Sequence, residues 1–472
     1  MSWAIADALG LSRWQFATTT LYHFIFVPIT LGLAPLLAVM QTLAHRRPAE
    51  REKWLRLTRF FGVLFMINFA IGVATGLVQE FQFGMNWAVF SSFVGDVFGA
   101  PLAIEGLAAF MLESTFIGLW VFGRDRLSPK VHLLTIYLVW LGTWASAYFI
   151  VAANSWMQNP VGYRINLQTG RAEATDILQI LFQEFTVVAY VHVILAGLMT
   201  GGFLVLGVAA WHLLRHRNVD LMTSAARLAI LVVLPVTAIQ MVWGSEFGVY
   251  VTDVQPMKIA STEALWDTEQ PAAFSLIQIG GFTVGDQTPT FELAIPGLLS
   301  FLSTNSFKGE VAGINPLQAQ YEQQYGPGSY IPDVRLVYWS MRAMAYLGGL
   351  SLLLALWGGW LLRRGRLAAA SRFQRAAVAG IAFPLLSNFG GWILTEAGRQ
   401  PWVADGLQKT MDAVSPNATT FSVGLSLGVF MALYLALGLT DFWLMRRYAR
   451  IDPPDLDGTS TGAAPVTAPR YS

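Results

Sequence analysis

Nine stretches of this sequence are apolar over roughly 20 residues, about what one helix needs to cross the ~30 Å hydrocarbon core of a bilayer. They fall at about 18–44, 60–80, 98–122, 131–153, 186–213, 225–250, 338–362, 377–397 and 420–445. In lipid every backbone amide must be satisfied within the segment. The expected fold is therefore all-α: an integral membrane protein of nine transmembrane helices. Composition agrees, with 12% charged residues against roughly 25% in a soluble domain. Residues 1–16 carry no basic region before an apolar core and no small-residue cleavage site, so they read as mature sequence.

Lysine and arginine set the expected orientation. Of the 30 basic residues, 21 fall in alternate connections: Arg46 to Arg59, Arg124 to Lys130, Arg215 to Arg227, Arg363 to Arg375, and the flank after the ninth helix. By the positive-inside rule these face the cytoplasm, which puts the N-terminus outside and the C-terminus inside. Four regions follow: 1–250 with six helices, a long outward loop at 251–337, 338–450 with three more helices, and a cytoplasmic tail at 451–472. The tail is rich in Pro, Thr, Gly and Ala and is expected to be disordered. A loop as long as 251–337 is expected to be functional or disordered. The net charge of +1 provides no basic stripe for nucleic acid.

With no cysteine in the chain, disulfides, iron–sulfur clusters and thiol nucleophiles are excluded. Metal would have to be held by His, Met or carboxylate. Ionisable groups inside a span cost about 2.5–3.5 kcal/mol each on insertion scales, so each needs a reason. His23, Glu105, Glu113, His192, Arg342 and Glu396, with Met344 beside Arg342 and Arg399 just past Glu396, are the candidates. All but Glu113 gather towards the outer ends of their helices. The bland alternatives are definite: a span His can simply hydrogen-bond, Met344 can fill a gap, and Arg342 and Arg399 can snorkel. Glu105 and Glu113 have no basic neighbour in their helix. On an ideal helix their eight-residue spacing puts them about 80° and about 12 Å apart, so one interior sector could hold both as steps of a proton relay. Gly72 and Gly76 have the small-xxx-small spacing of helix packing. His45, His132, His212 and His216 lie at the opposite helix ends and read as interfacial polar residues.

Six stretches carry a family resemblance: RWQFATTTLYHFIFVPITLG at 13–32, GDVFGAPLAIEGLAAFMLEST at 95–115, YVHVILAGLMTGGF at 190–203, DVQPMKIASTEALWDTEQPAAF at 253–274, YWSMRAM at 338–344 and GWILTEAGRQPW at 391–402. In these the chain resembles subunit I of the cytochrome bd quinol oxidases, in a form with a short quinol loop. The resemblance implies a bacterial plasma-membrane enzyme, a quinol:oxygen oxidoreductase that generates proton motive force without a dedicated pump. It implies three haems. His192 and Met344 match the axial ligands of a low-spin haem b. His23 and Glu396 match the ligands of a high-spin haem b and of a haem d, or a third haem b in its place. The assignment between these two stays open, leaning to His23 for haem d. Arg342 and Arg399 match residues that balance or tune the haems. Glu105 lies in the motif of the oxygen-reacting haem, and Glu113 matches a residue of proton delivery. Lys258 and Glu263 match the pair associated with quinol oxidation, although five-residue spacing does not put them on one helix face. A second large subunit, small single-helix subunits, membrane quinol (menaquinol or ubiquinol) and O2 are the implied partners. Two other readings stand beside it: a haem-b electron-transfer subunit without oxygen reduction, and a secondary ion transporter using the buried carboxylates.

Overall fold

The structure, a computed structural model, describes residues 7–455. Residues 1–6 and 456–472 lie outside the described residues, and with them most of the tail expected to be disordered. Among the described residues nine helices are long and apolar enough to cross a membrane: Ala8–Arg46, Pro48–Met85, Ala88–Phe122, Pro129–Gln158, Glu184–Leu213, Val219–Val254, Val334–Arg363, Ser371–Ala397 and Thr420–Arg450, called spans one to nine below. They coincide with the nine apolar runs and extend beyond them, because helices continue past the hydrocarbon into polar sequence. Local signals set several ends. Pro129 occupies the first turn of span four. The Asp333 side chain caps span seven by accepting from the Leu336 amide, and Thr419 and Ser422 form a capping box at the start of span nine.

Span eight breaks at Gly380 and Ile381, between Ser371–Ala379 and Ala382–Ala397, and spans one and three also depart from ideal helix where the sequence pattern showed none. Span one breaks at Phe24 and Ile25, between helical segments Ala8–His23 and Phe26–Arg46. Pro28 has no amide to bond the Phe24 carbonyl, which accounts for the break. Span three contains Pro101, and four residues later it widens into a π-helical segment, Glu105–Phe110. Such segments are frequent at functional sites. Both change the depth expected of a candidate. His23 lies near the middle of its span at a helix end, and Glu105 near the middle of span three, which begins at Ala88 instead of about 98.

Spans one to eight all contribute to the largest apolar core, with Leu33, Leu37, Phe61 and Phe203 fully buried. Spans one and five cross at backbone contact. A Cβ on Gly32 would lie 2.1 Å from the Gly197 carbonyl oxygen, and one on Gly201 would lie 2.5 Å from the Gly32 backbone. Only glycine permits this approach.

The connections gather on two sides, as the alternation of basic residues implied. On the arginine-rich side Arg56 pairs with Asp455 at 2.9 Å and Asn218 bonds Asp452, which ties down the first residues after span nine. On the other side Asp405 bonds the Met157 carbonyl and Gln255 bonds that of Gln158. The long loop on that side is folded. Its elements are a helix at Pro256–Glu263, a hairpin of Phe274–Gly280 with Pro289–Ile295, and helices at Leu298–Thr304 and Ile314–Tyr325. The packing of Met257, Trp266, Phe282 and Tyr338 supplies it with a core of its own.

Candidate functional site

His192 and Met344 stand in a group made by spans five to eight. The Gln240 carboxamide lies 3.2 Å from His192 Nε2 and 3.3 Å from Nδ1, and Phe247 packs on the ring at 5.6 Å. Gly244 of span six faces His192, where a Cβ would lie 3.4 Å from Cε1. Gly391 of span eight faces Met344, where a Cβ would lie 3.1 Å from Sδ. Ser387 holds the same turn by donating to the Met344 carbonyl at 2.8 Å.

His23 and Glu396 belong to a second, adjoining group. His23 Nδ1 is hydrogen-bonded to Thr75 Oγ1 at 2.9 Å, which fixes the ring and leaves Nε2 as the nitrogen available to a metal. Gly76 faces this ring too, 3.1 Å from Cε1 to a would-be Cβ. A Cβ on Gly72 would lie 3.2 Å from that of Phe26, so the glycine pair does pack spans one and two as its spacing suggested, and one member also shapes the space beside His23. Phe24, next to His23, meets Trp392 edge-on at 4.9 Å, one turn before Glu396. Glu396 Oε1 accepts from Asn154 at 2.8 Å and its other oxygen accepts from Arg399. Arg399 is 4% exposed, yet its Nε and Nη1 have no partner.

The two carboxylates of span three point at one helix. Ser146 of span four donates to Glu105 at 2.7 Å, and a Cβ on Gly142 would lie 2.7 Å from that of Glu113. Gly142 and Ser146 are one turn apart, so Glu105 and Glu113 share a sector. The π segment between them alters the ideal 80° separation without moving them apart. His132 and His212, by contrast, are held by protein: His132 by Gln41 and the Trp120 carbonyl, His212 by the Ala449 carbonyl.

Lys258 and Glu263 do not form a site together. Lys258 is buried, donates to Gln158 Oε1 at 2.7 Å, and runs past Gly398 towards Arg399 and Asp405. Burial, with Arg399 adding to it, lowers its ammonium pKa from 10.5 to about 7. Burial raises the nearby Asp405 carboxyl to about 6, against the pull of Lys258 and Arg399. Glu263 points the other way. It pairs with Arg342 at 2.7 Å, both side chains at most 3% exposed, and burial pushes its carboxyl up while Arg342 opposes the shift. Arg342 also donates to the carbonyls of Thr262 and Ser275 and lies 3.6 Å from the Tyr338 ring centroid, which leaves only Nε without a partner. Of the two arginines expected beside haem, Arg399 keeps free donors and Arg342 is committed to Glu263. Asn154, Gln240, Thr75 and Asp405 carry no signal of cost in a span. The first three are neutral, and Asp405 lies in a loop.

Residues 11–453 match the family described as cytochrome bd terminal oxidase subunit I. The chain belongs to this family. It is 44% identical to the cytochrome bd ubiquinol oxidase subunit 1 of Bacillus subtilis (strain 168), over 91% of each chain. It is 36% identical to the cytochrome bd-II ubiquinol oxidase subunit 1 of Escherichia coli (strain K12), over 95% of this chain and 97% of that one. The bd oxidase structure from Geobacillus thermodenitrificans matches with a TM-score of 0.85 at 27% identity, covering 94% of this chain and 99% of that one. As a member of the cytochrome bd family the protein is a haem-dependent terminal oxidase subunit, multi-pass in the cytoplasmic membrane, and works with a second subunit.

The residues fit haem. Among the described residues no cluster of three or more His, Cys, Asp or Glu could enclose a bare ion. A haem brings its own four equatorial nitrogens and asks for one or two axial donors. The imidazoles of His23 and His192 and the Met344 thioether, each facing glycine, and the isolated Glu396 carboxylate meet that need, and the orphaned donors of Arg399 suit a propionate.

Proposed function

We propose that this subunit oxidises membrane quinol on the side of the folded loop and delivers the electrons to oxygen at the His23 and Glu396 sites. Three bound haems would supply the one-electron transfer and the reduction of O2 to water. His192 and Met344 would together hold the low-spin haem b. His23 and Glu396 would each give one ligand, to a high-spin haem b and to a haem d or a third haem b, where the reaction with oxygen would be supplied. Arg399 would meet a propionate, and Arg342 would act at a distance through its charge. The observation that carries this reading is the grouping of the four donors on adjoining helices, three of them opposite glycine. The N-terminus outside, the loop outside and small single-helix subunits beside the second large one complete the picture.

Lys258, with a pKa near 7, is half neutral amine at neutrality and can accept a quinol proton. Raising the pH through about 7 populates that acceptor, so kcat/KM for quinol is expected to rise over this interval. Lys258→Arg keeps the charge, stays protonated at all working pH, and is expected to flatten the profile and lower kcat/KM by about 100-fold. An unchanged pH profile in the variant would remove Lys258 from the reaction.

Glu113 and Glu105 would carry protons inward from the arginine-rich side, so that charge separates without a pump. Glu113→Ala is expected to slow turnover and proton uptake together while all pigments remain bound. Unchanged uptake at unchanged turnover would sink the role given to Glu113.

A further inference from the structure

The hairpin of Phe274–Gly280 and Pro289–Ile295 is amphipathic with its faces reversed. Ile277 pairs with Leu293 and Ile279 with Phe291, and alternation along the second strand adds Ile295 to the same face, although its own partner Phe274, before the bulge, is buried at 7% exposure. The five side chains of that face are 38–57% exposed. The opposite side of the first strand turns Ser275 and Gln278 towards the protein, 2% and 3% exposed. A hairpin half-covered in water buries its apolar face and solvates its polar one. A one-residue slip would exchange the two faces. Here the register is pinned by the irregularity between Ser275 and Ile277 and by the start of span seven. Ser275 Oγ bonds Tyr338 Oη at 2.9 Å, Arg342 donates to the Ser275 carbonyl, and Tyr346 donates to that of Leu276.

Tyr346 is itself 42% exposed and continues down span seven as a stripe of Leu350, Leu353, Trp357 and Trp360 at helical spacing. That stripe lies on a helix long enough to cross the bilayer, and an aromatic at its loop end is what a membrane interface favours. The exposed apolar face of the hairpin is therefore stitched to the end of an exposed apolar stripe on a membrane-spanning helix. We propose that this face is seated in the lipid leaflet on the loop side, so that the loop is anchored in the membrane at Phe291, Leu293 and Ile295 instead of standing in water. A lipophilic quinol could then approach the Glu263–Arg342 pair from within the leaflet, and this corollary alone rests on the quinol reading.

The absence of cysteine in this chain makes the test direct. Leu293→Cys, Phe291→Cys and, on the opposite face, Glu292→Cys would be introduced singly into the complete oxidase complex. Each would be labelled with a nitroxide and reconstituted in phospholipid nanodiscs, with the unsubstituted complex giving the background from other subunits. Labels at 293 and 291 are expected to relax several-fold more with O2 than with an aqueous nickel chelate, and the label at 292 to show the opposite preference. Equal chelate access at 292 and 293 would overturn the proposal. So would a label at 293 screened from both reagents, which would mean that a protein partner covers the face. Turnover does not enter the readout, so a failure of the quinol reading would leave this result standing.

Discussion

Met344→Leu is expected to lower quinol-driven oxygen uptake to about a hundredth of the parent rate and to remove the low-spin haem band from the reduced spectrum. The two side chains are close in volume, and such swaps usually cost less than about 1.5 kcal/mol, so the packing against Gly391 and the bond from Ser387 should survive. What leaves is the thioether. His192 would then be the one donor left to the low-spin haem, and the electron transfer that group would supply would be lost. Carbon monoxide binding at the His23 and Glu396 sites should persist, since neither touches Met344. A variant with full turnover and an unaltered low-spin band would show that Met344 is only a gap-filler.

The second large effect concerns stability. Arg342 and Glu263 are both buried, and the guanidinium has its remaining contacts in backbone carbonyls and the Tyr338 ring. Removing one partner of such a pair strands the other charge and typically costs about 3–5 kcal/mol, whereas replacing both can be nearly neutral. Glu263→Gln and Arg342→Met are each expected to lower the thermal midpoint of the purified complex sharply, with the double variant recovering most of the loss. The pair joins the start of span seven to the strand at Ser275, so the loop should loosen first and become sensitive to protease in the single variants. Additive losses in the double variant would mean that the two residues contribute separately.

Much of this was legible in the sequence for physical reasons that also set its limits. A span must be apolar throughout, so nine runs announced the nine long helices of the described residues, and His23, Glu105, Glu113, His192, Arg342 and Glu396 stood out within them. Hydropathy measures how apolar a stretch is and says little about where a helix ends. It therefore missed the early start of span three at Ala88, which places Glu105 deeper. The break before Pro28 and the π segment at Glu105–Phe110 are backbone events. Proline hints at each, and periodicity conceals both. Partnerships across the chain were out of reach. Glu263 meets Arg342 79 positions later, and Lys258, five residues from Glu263, turns towards Arg399 and Asp405 instead. The hairpin shows the converse. Its apolar alternation is plain in the sequence, but only the fold reveals that the apolar face points outward.

The central claim is that His23 and Glu396 each hold one haem while His192 and Met344 together hold another. Haem extraction and pigment analysis of the purified complex, beside the Glu396→Ala and His23→Ala variants, tests it most directly. The expected result is three haems in the parent and two in each variant, with a different haem missing from each and the low-spin band intact in both. Three haems retained in either variant, or loss of the low-spin haem in its place, would contradict the assignment.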